Sequence, residues 1–461
     1  MGNTRLIDKF TVNQYNTANG MTTLETQNSV NTSSENIIIV GGGAGGLELA
    51  VKLGRRYKKK SRNVILVDKN RTHIWKPLLH EVAAGSLDPD IDGVDYLSVG
   101  NKNGFIFHLG SMVELDRETK KITLAPLLDD DDNVVLNSRE LGYAKLVFAI
   151  GSVTNDFGTG GAKEHCIFLD SPASAQKFHI KLLNEFLKLQ SDNNNHTLEI
   201  AIVGAGATGV ELAAELYKTS ELLKSYGYNH LSSNRLKVTV VEAGPRLLPA
   251  LPERIAESTK RELEKLGVEI LLDTAVSAVE KTGLHTQDGR FISSRMSVWA
   301  AGIKAPDFLA NIGGLETNRI NQIVVTPQLV SVTDKNIYAL GDCAHCLMED
   351  GSKVPPRAQS AHQMASHVFN NIKLLDENKP QTAYKYVDYG SLVSLSTYST
   401  VGSLMGNLTS GSMFIEGRLA RIVYISLYRM HQVVIYGKLK TLLFMFVSRI
   451  NNRLRPNLKL H

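Results

Sequence analysis

The sequence predicts an α/β fold of two parallel sheets, each flanked by helices, followed by a strand-and-helix tail. Three observations carry that prediction. An apolar strand, a Gly-x-Gly-x-x-Gly turn, a helix and a second strand ending in an acid occur twice, beginning near Ile37 and near Leu198. The stretch from Tyr389 to Ile415 is uncharged and alternates apolar residues with Ser, Thr and Gly, the period of paired strands turning at the glycines. From Arg418 to His461 there are nine Lys or Arg and no Asp or Glu, with apolar clusters between the charges.

A chain of 461 residues has room for roughly two to four domains. Three cysteines, Cys166, Cys343 and Cys346, are too few to staple a secreted scaffold. The formal charge of +5 is concentrated in the tail, so the body is net acidic, which excludes a uniformly basic nucleic-acid binder. Residues 1–35, rich in Asn, Thr and Ser, lack the apolar core of a signal peptide and are expected to form a disordered extension. No window of about 18 apolar residues offers a spanning helix.

In ENIIIVGGGAGGLELAVKL a strand runs from Ile37 into Gly41-x-Gly43-x-x-Gly46 and then an amphipathic helix. The three glycines serve a tight turn, close backbone approach to a pyrophosphate, and close packing of helix on strand. The pyrophosphate then meets the positive end of the helix, at Ala44 and Gly45. A second strand, Val64–Val67, ends in Asp68, 22 residues beyond Gly46, where a carboxylate can accept both hydroxyls of an adenosine ribose. Lys69 follows it.

LEIAIVGAGATGVELAAEL repeats the pattern: a strand over 198–203, then Gly204-x-Gly206-x-x-Gly209, with Ala207 and Thr208 opening the helix. VTVVEAG supplies the second strand and its acid, Glu242. The 33-residue gap from Gly209 is long, and a polar insertion around Ser225–Arg235 accounts for the surplus. Glu242 would repel a 2′-phosphate, so NADH is expected here rather than NADPH. The reading is therefore two Rossmann-like dinucleotide-binding domains.

Two such folds in one chain resemble the two-dinucleotide-binding-domain flavoproteins. LVFAIGS (146–152) and SVWAAGI (297–303) look like that superfamily's connections between domains, and NIYALGDCAH (336–345) resembles its second FAD fingerprint. The resemblance implies FAD, bound non-covalently, in the first fold and NADH as substrate in the second. It places the FAD-binding domain at 36–158 and 305–378, the inserted NADH-binding domain at 159–304, and strands and membrane-associating helices at 379–461. Asp342 would bond the flavin's ribityl chain, with Gly151 and Gly341 beside it; Ala301 and Gly302 would face NADH. The superfamily's disulfide reductases carry a cysteine pair where this chain has none. Cys343-Ala-His-Cys346 sits at what reads as a helix start, where a thiolate is stabilised. We expect reduced structural thiols there, with redox sensing left open. A metal would need more ligands than His345 and the distant His362, and none is expected.

A nearer resemblance, from Asn36 to His461, is to the single-subunit type II NADH dehydrogenases, the NADH:quinone oxidoreductases of bacterial respiratory membranes. It is carried by THIWKPLLHEVAAGSLD (72–88), VEAGPRLLPALP (241–252), VWAAGIKAPDFL (298–309) and PPRAQSAHQMA (355–365). Ala358-Gln359-Ser360-Ala361-His362-Gln363 matches the family's AQxAxQ quinone signature. Gln359 and Gln363 are four apart and share a helix face; small Ala358 and Ala361 would admit a flat ring, and the amides can donate to quinone carbonyls. The family also implies that Gln359 and Ser360 line the flavin, that Lys76 and Pro77 reach its neighbourhood, and that Met112 contributes its backbone. Glu211 matches a family glutamate assigned to a proton or charge relay. A carboxylate on the first helical turn is also favourable for the dipole alone, so both readings stand.

Apolar runs of seven or eight residues between Arg421, Arg429, Lys438, Lys440, Arg449, Arg453 and Arg455 cannot span a bilayer, but amphipathic helices can lie in its interface. Residues 418–461 are therefore read as a peripheral anchor on the cytoplasmic face of the cell membrane; packing on the body, or in a homodimer seam, is the competing reading. The basic run Arg55–Arg62 reads as a solvated face and Asp129–Asp132 as a loop. The expected reaction passes a hydride from NADH to FAD and two electrons to a membrane quinone without proton pumping. Ubiquinone is the expected acceptor, although no residue separates it from menaquinone. The alternatives are an FAD/NADH-binding redox sensor and a soluble diaphorase or oxidase.

Overall fold

The computed structural model describes residues 35–58, 62–191, 196–228, 235–395, 399–404, 413–454 and 458–459. The expected N-terminal extension lies outside them apart from Glu35, as do residues 229–234 of the polar insertion.

The first parallel sheet contains β1 (Ile37–Val40), β2 (Val64–Asp68), β3 (Ile106–Leu109) and β4 (Lys145–Phe148), with helix α1 (Ala44–Tyr57) crossing between β1 and β2. The second contains β5 (Cys166–Phe168), β6 (Leu198–Val203), β7 (Leu236–Val241), β8 (Glu269–Leu271) and β9 (Met296–Trp299). Helix α2 (Pro172–Ser191) precedes β6, and α3 (Ala207–Lys224) crosses from β6 to β7. The chain then returns to the first sheet through β10 (Ile337–Ala339), so the strand orders are β10–β4–β1–β2–β3 and β5–β9–β6–β7–β8. All pairings in both sheets are parallel. Their central strands read as continuous apolar runs because both faces are covered: Ile37, Ile38 and Ile39 are all fully buried. The two connections between the sheets run side by side, Val153–Thr154 pairing antiparallel with Ile303–Lys304.

Helix α4 (Ala358–Asp376) follows and packs on α1. The tail begins with an antiparallel sheet of β11 (Gly390–Leu395), β12 (Ser399–Leu404) and β13 (Met413–Glu416). Of the glycines expected at turns, Gly402 sits in mid-strand opposite Leu392 and Ile415, and the links between the strands, 396–398 and 405–412, lie outside the described residues. Helices α5 (Gly417–Tyr436) and α6 (Lys438–Leu454) complete the tail, separated by Gly437 at φ +85°. Val393 and Leu395 join the core of the second sheet, whereas Ile435 joins that of the first.

Among the described residues of Arg55–Arg62, Arg55 and Lys58 are exposed, as a solvated face requires, whereas Arg56 and Arg62 are half-buried and engaged. Arg55 donates from Nη2 to the Ile435 carbonyl at 3.0 Å and from Nε to Asn103 Oδ1 at 2.7 Å. Arg56 and Arg62 both pair with Asp376 at the end of α4. These three arginines tie the end of α1 to α4 and α5. Asp129–Asp132 is the expected loop, its Asp129 carboxylate accepting from the backbone N–H of Asp131 and Asn133.

Candidate active site: two glycine cradles and the polar network around them

The two glycine turns are near copies. Gly41 and Gly204 both stand at φ +102°, a conformation open to glycine and strained for other residues. A Cβ on Gly46 would collide with the Gly41 carbonyl, and one on Gly209 with that of Gly204, so the third glycine of each motif seats its helix against the turn. The second glycine differs. A Cβ on Gly43 would have only the Ala149 carbonyl oxygen, at 3.9 Å, within reach, and one on Gly206 would have nothing. Helices α1 and α3 begin just beyond these open positions without a side-chain cap or an acidic residue in the first turn. Their first N–H groups and the positive end of each dipole therefore face the open side, which fits an approaching pyrophosphate. Gly43, Ala207 and Thr208 are exposed there and Ala44 half-exposed, whereas Gly45 is buried against Leu340 and Ala361.

The acids ending β2 and β7 also correspond. Asp68 Oδ2 accepts from Gly42 N at 2.6 Å and Glu242 Oε2 from Ala205 N at 2.7 Å. A second pair, Asn70 N to Asp68 Oδ1 and Gly244 N to Glu242 Oε1, fixes each carboxylate beside its turn. Burial raises Asp68, and the hydrogen bonds from Asn70 and Gly42 oppose that shift. Lys69 points to solvent.

Beside the first cradle, Lys76 Nζ donates to the Ser152 carbonyl at 2.7 Å, and Ser152 Oγ donates to Asp342 Oδ2 at 2.7 Å. Lys76 and Pro77 are exposed on this side. Gly151 and Gly341 stand nearby in sequence at φ +78° and +70°, with open space or only the Ala361 Cβ, at 3.4 Å, where a side chain would be. Met112 is buried on the first strand of a small antiparallel sheet. Ser152 closes the LVFAIGS segment, but two participants carry no sequence signal: Tyr96, whose hydroxyl donates to the Gly42 carbonyl at 2.8 Å, and Phe157. Phe157 is 67% exposed at φ +53°, with its ring covering Gly302, next to half-exposed Ala301.

Glu211 lies beyond the first turn of α3, so the dipole reading for it fails. It is buried. Its Oε1 accepts from Ser394 N at 3.0 Å and its Oε2 lies 3.4 Å from His80 Nδ1. Burial pushes His80 down to about 4, so this ring is neutral at physiological pH.

Gln359 and Gln363 share a face of α4, as their spacing predicts, and that face meets residues 387–390. Gln363 donates to the Val387 carbonyl at 2.8 Å and accepts from Val387 N at 3.0 Å. Gln359 donates to the Gly390 carbonyl and to Asp388, and accepts from Tyr389 N. Both amides hold the backbone that leads into the tail. Ser360 is buried with its hydroxyl on the Pro355 carbonyl; Ala358 and Ala361 are half-exposed.

The cysteine pair is not at a helix start. Cys343 ends a single 3-10 turn and Cys346 follows a two-residue strand. Burial pushes both thiols up to about 11, the reverse of thiolate activation. Both are free and buried.

Two parallel sheets, each presenting an uncapped helix start over an open glycine, define an oxidoreductase that brings two dinucleotide sites into one chain. Residues 35–365 match the family described as pyridine nucleotide-disulphide oxidoreductase. The chain is 44% identical over 443 residues to the type II NADH:quinone oxidoreductase of Haemophilus influenzae, covering 93% of this chain and all of that one. It is 30% identical to the enzyme of the same name from Staphylococcus aureus, over 81% of this chain and 91% of the relative. Among solved structures, NDH2 from Plasmodium falciparum in complex with NADH has a TM-score of 0.76 at 20% identity, over 93% of this chain and all of that one, a likeness of fold. The chain belongs to the type II NADH:quinone oxidoreductases, enzymes that move electrons from NADH to a quinone.

Proposed function

We propose that the flavin of this enzyme is FAD, seated in the first cradle, that NADH enters the second, and that the reaction pumps no protons. The observation that carries the reading is the duplicated open glycine, Gly43 and Gly206, each at an uncapped helix start. FAD bound there supplies the hydride-accepting and electron-donating chemistry. The chain's own residues do the rest. Asp68 and Glu242 hold the two turns in shape; Lys76, Ser152 and Asp342 form a polar wall beside the first cradle; Glu211 keeps a buried carboxylate between the second fold and the tail. Glu242 also disfavours the 2′-phosphate of NADPH.

Quinone access is proposed where α4 meets residues 387–390, with Gln359, Gln363, Ala358 and Ala361 as its wall. Because both amides already hold backbone, they act there by shaping the passage; Gln359 spends both of its N–H groups on Gly390 and Asp388, so any donation to a quinone carbonyl uses the remaining N–H of Gln363. The membrane surface is assigned to α6. Leu439 is 82% exposed, and Leu442, Leu443, Phe446 and Val447 are exposed beside it, flanked by exposed Lys438 and Lys440. No helix among the described residues is long and apolar enough to cross a membrane, so this helix would lie in the interface, as basic amphipathic helices do.

The test is anaerobic NADH oxidation by detergent-solubilised protein, with and without a short-chain ubiquinone analogue and with NADPH as control. Fast quinone-dependent turnover with NADH alone is the expected result. Flavin reduction without transfer to quinone would move the redox-sensor reading to first place. Proton translocation by the purified protein in sealed vesicles would sink the claim of no pumping.

A further inference from the structure

Helix α5 of the tail places a histidine inside the body. His431 is 1% exposed, with Nδ1 2.8 Å from Glu48 Oε1 on α1 and Nε2 3.1 Å from His73 Nε2, in the short strand Thr72–His73. The other oxygen of Glu48 lies 2.6 Å from His362 Nδ1 on α4 and 3.9 Å from Lys52 Nζ, which itself donates to Ser366. Trp75 packs its ring edgewise on His431, with centroids 4.7 Å apart. Glu48 is also 1% exposed, so its charge must be met locally, and the groups that meet it come from α1, α4 and α5 at once.

This cluster sits one turn beyond the first glycine cradle. Glu48 is the fifth residue of α1, the helix whose start forms the cradle. The backbone of Gly42 bears on His73 and favours its charged form, and the same residue's carbonyl accepts from Tyr96 while its N–H donates to Asp68. Polar contacts therefore tie the tail helix, through His431, both to Glu48 on the cradle helix and to His73 beside the turn that would receive the pyrophosphate. We propose that His431 is a positioning residue for FAD: the seating of α5 on the body and the shape of the first cradle are one coupled equilibrium. The proposal rests on FAD occupying that cradle. Linkage then works in both directions, so the seated tail tightens FAD binding and bound FAD holds the tail down by the same factor.

The test measures FAD affinity of the apoprotein by flavin titration, together with amide hydrogen exchange over Gly417–Tyr436 with and without FAD. His431→Leu is expected to bind FAD about tenfold more weakly, and His431→Asn, whose amide nitrogen takes the place of Nδ1 toward Glu48, to recover part of the loss. In the wild-type protein FAD should slow exchange across α5, and in His431→Leu that response should vanish while NADH binding at the second cradle is retained. Equal FAD affinity in wild type and both variants would overturn the proposal. So would α5 exchange in the wild-type protein that ignores FAD, a result that needs no variant to fold. Wild-type protein that binds no FAD would overturn the cofactor reading itself, and is seen before any variant is made.

Discussion

Glu211 Oε2 lies 3.4 Å from His80 Nδ1, joining the helix that opens at the second cradle to the segment that follows Lys76 and Pro77. The same carboxylate accepts from Ser394 N in the tail sheet, so one buried side chain touches all three parts of the molecule. Glu211→Ala orphans the Ser394 N–H and should cost about 1–3 kcal/mol of stability. Glu211→Gln keeps a carbonyl for that N–H and should melt close to wild type, yet reduce quinone at least about tenfold more slowly if the carboxylate handles a proton. Stopped-flow turnover beside a thermal melt separates the two effects; wild-type turnover in the Gln variant would reduce Glu211 to a structural tie.

The glycines within one motif should respond differently to a methyl group. Gly206→Ala meets no protein atom, so it should fold with an unchanged melting temperature and raise the KM for NADH, by about tenfold for a lost close approach of roughly 1.4 kcal/mol. Gly209→Ala pushes a Cβ into the Gly204 carbonyl and should lower the melting temperature or prevent folding. A Gly206→Ala enzyme with an unaltered KM would show that NADH does not approach this turn.

Gln363 is bonded twice to Val387, and Gln363→Ala removes both bonds at once. At about 1 kcal/mol each, the loss should loosen residues 387–390 without unfolding the chain. The rate of quinone-dependent reoxidation should fall, while flavin reduction by NADH in single-turnover experiments stays near wild type. A fall confined to flavin reduction would remove this segment from the quinone side.

Acid should destabilise the protein early. Burial holds His73 down to about 3 and His80 down to about 4. Between those values and the ordinary value of about 6.5, the unfolded chain binds protons that the folded one does not, so stability falls as pH drops. Each group contributes about 1.4 kcal/mol per pH unit across its window. Glu48 acts in the same direction at lower pH. Burial raises its carboxyl, but His362 and His431 outweigh that and bring it to about 2, so its contribution is lost as pH falls from the usual carboxylate value through about 2. Urea denaturation between pH 7 and 5 should show the histidine slope, and His80→Gln should flatten it; an unchanged slope would mean that His80 is charged in the folded state.

Much of the architecture is local, and local features are legible in sequence. A glycine is needed at 41 and 204 because the chain turns there at φ +102°, and at 46 and 209 because a helix closes on a carbonyl. Apolar runs such as Ile37–Val40 announce strands covered on both faces, and the two terminal acids sit where the motif spacing puts them. The spacing of Gln359 and Gln363 also places both on one face of a helix, which the structure bears out.

What that face meets is another matter. The partners of Gln363, Glu211 and Glu48 lie 24, 183 and 383 residues away, and no periodicity encodes such pairs. The cysteine pair makes the same point: its place at an expected helix start would have stabilised a thiolate, whereas no helix starts there and burial pushes both thiols the other way. By itself the sequence determined the two cradles, because they follow from backbone sterics within a few residues. Only the tertiary structure decided which buried charges share an environment, because desolvation and hydrogen bonding depend on what the whole fold brings against each group.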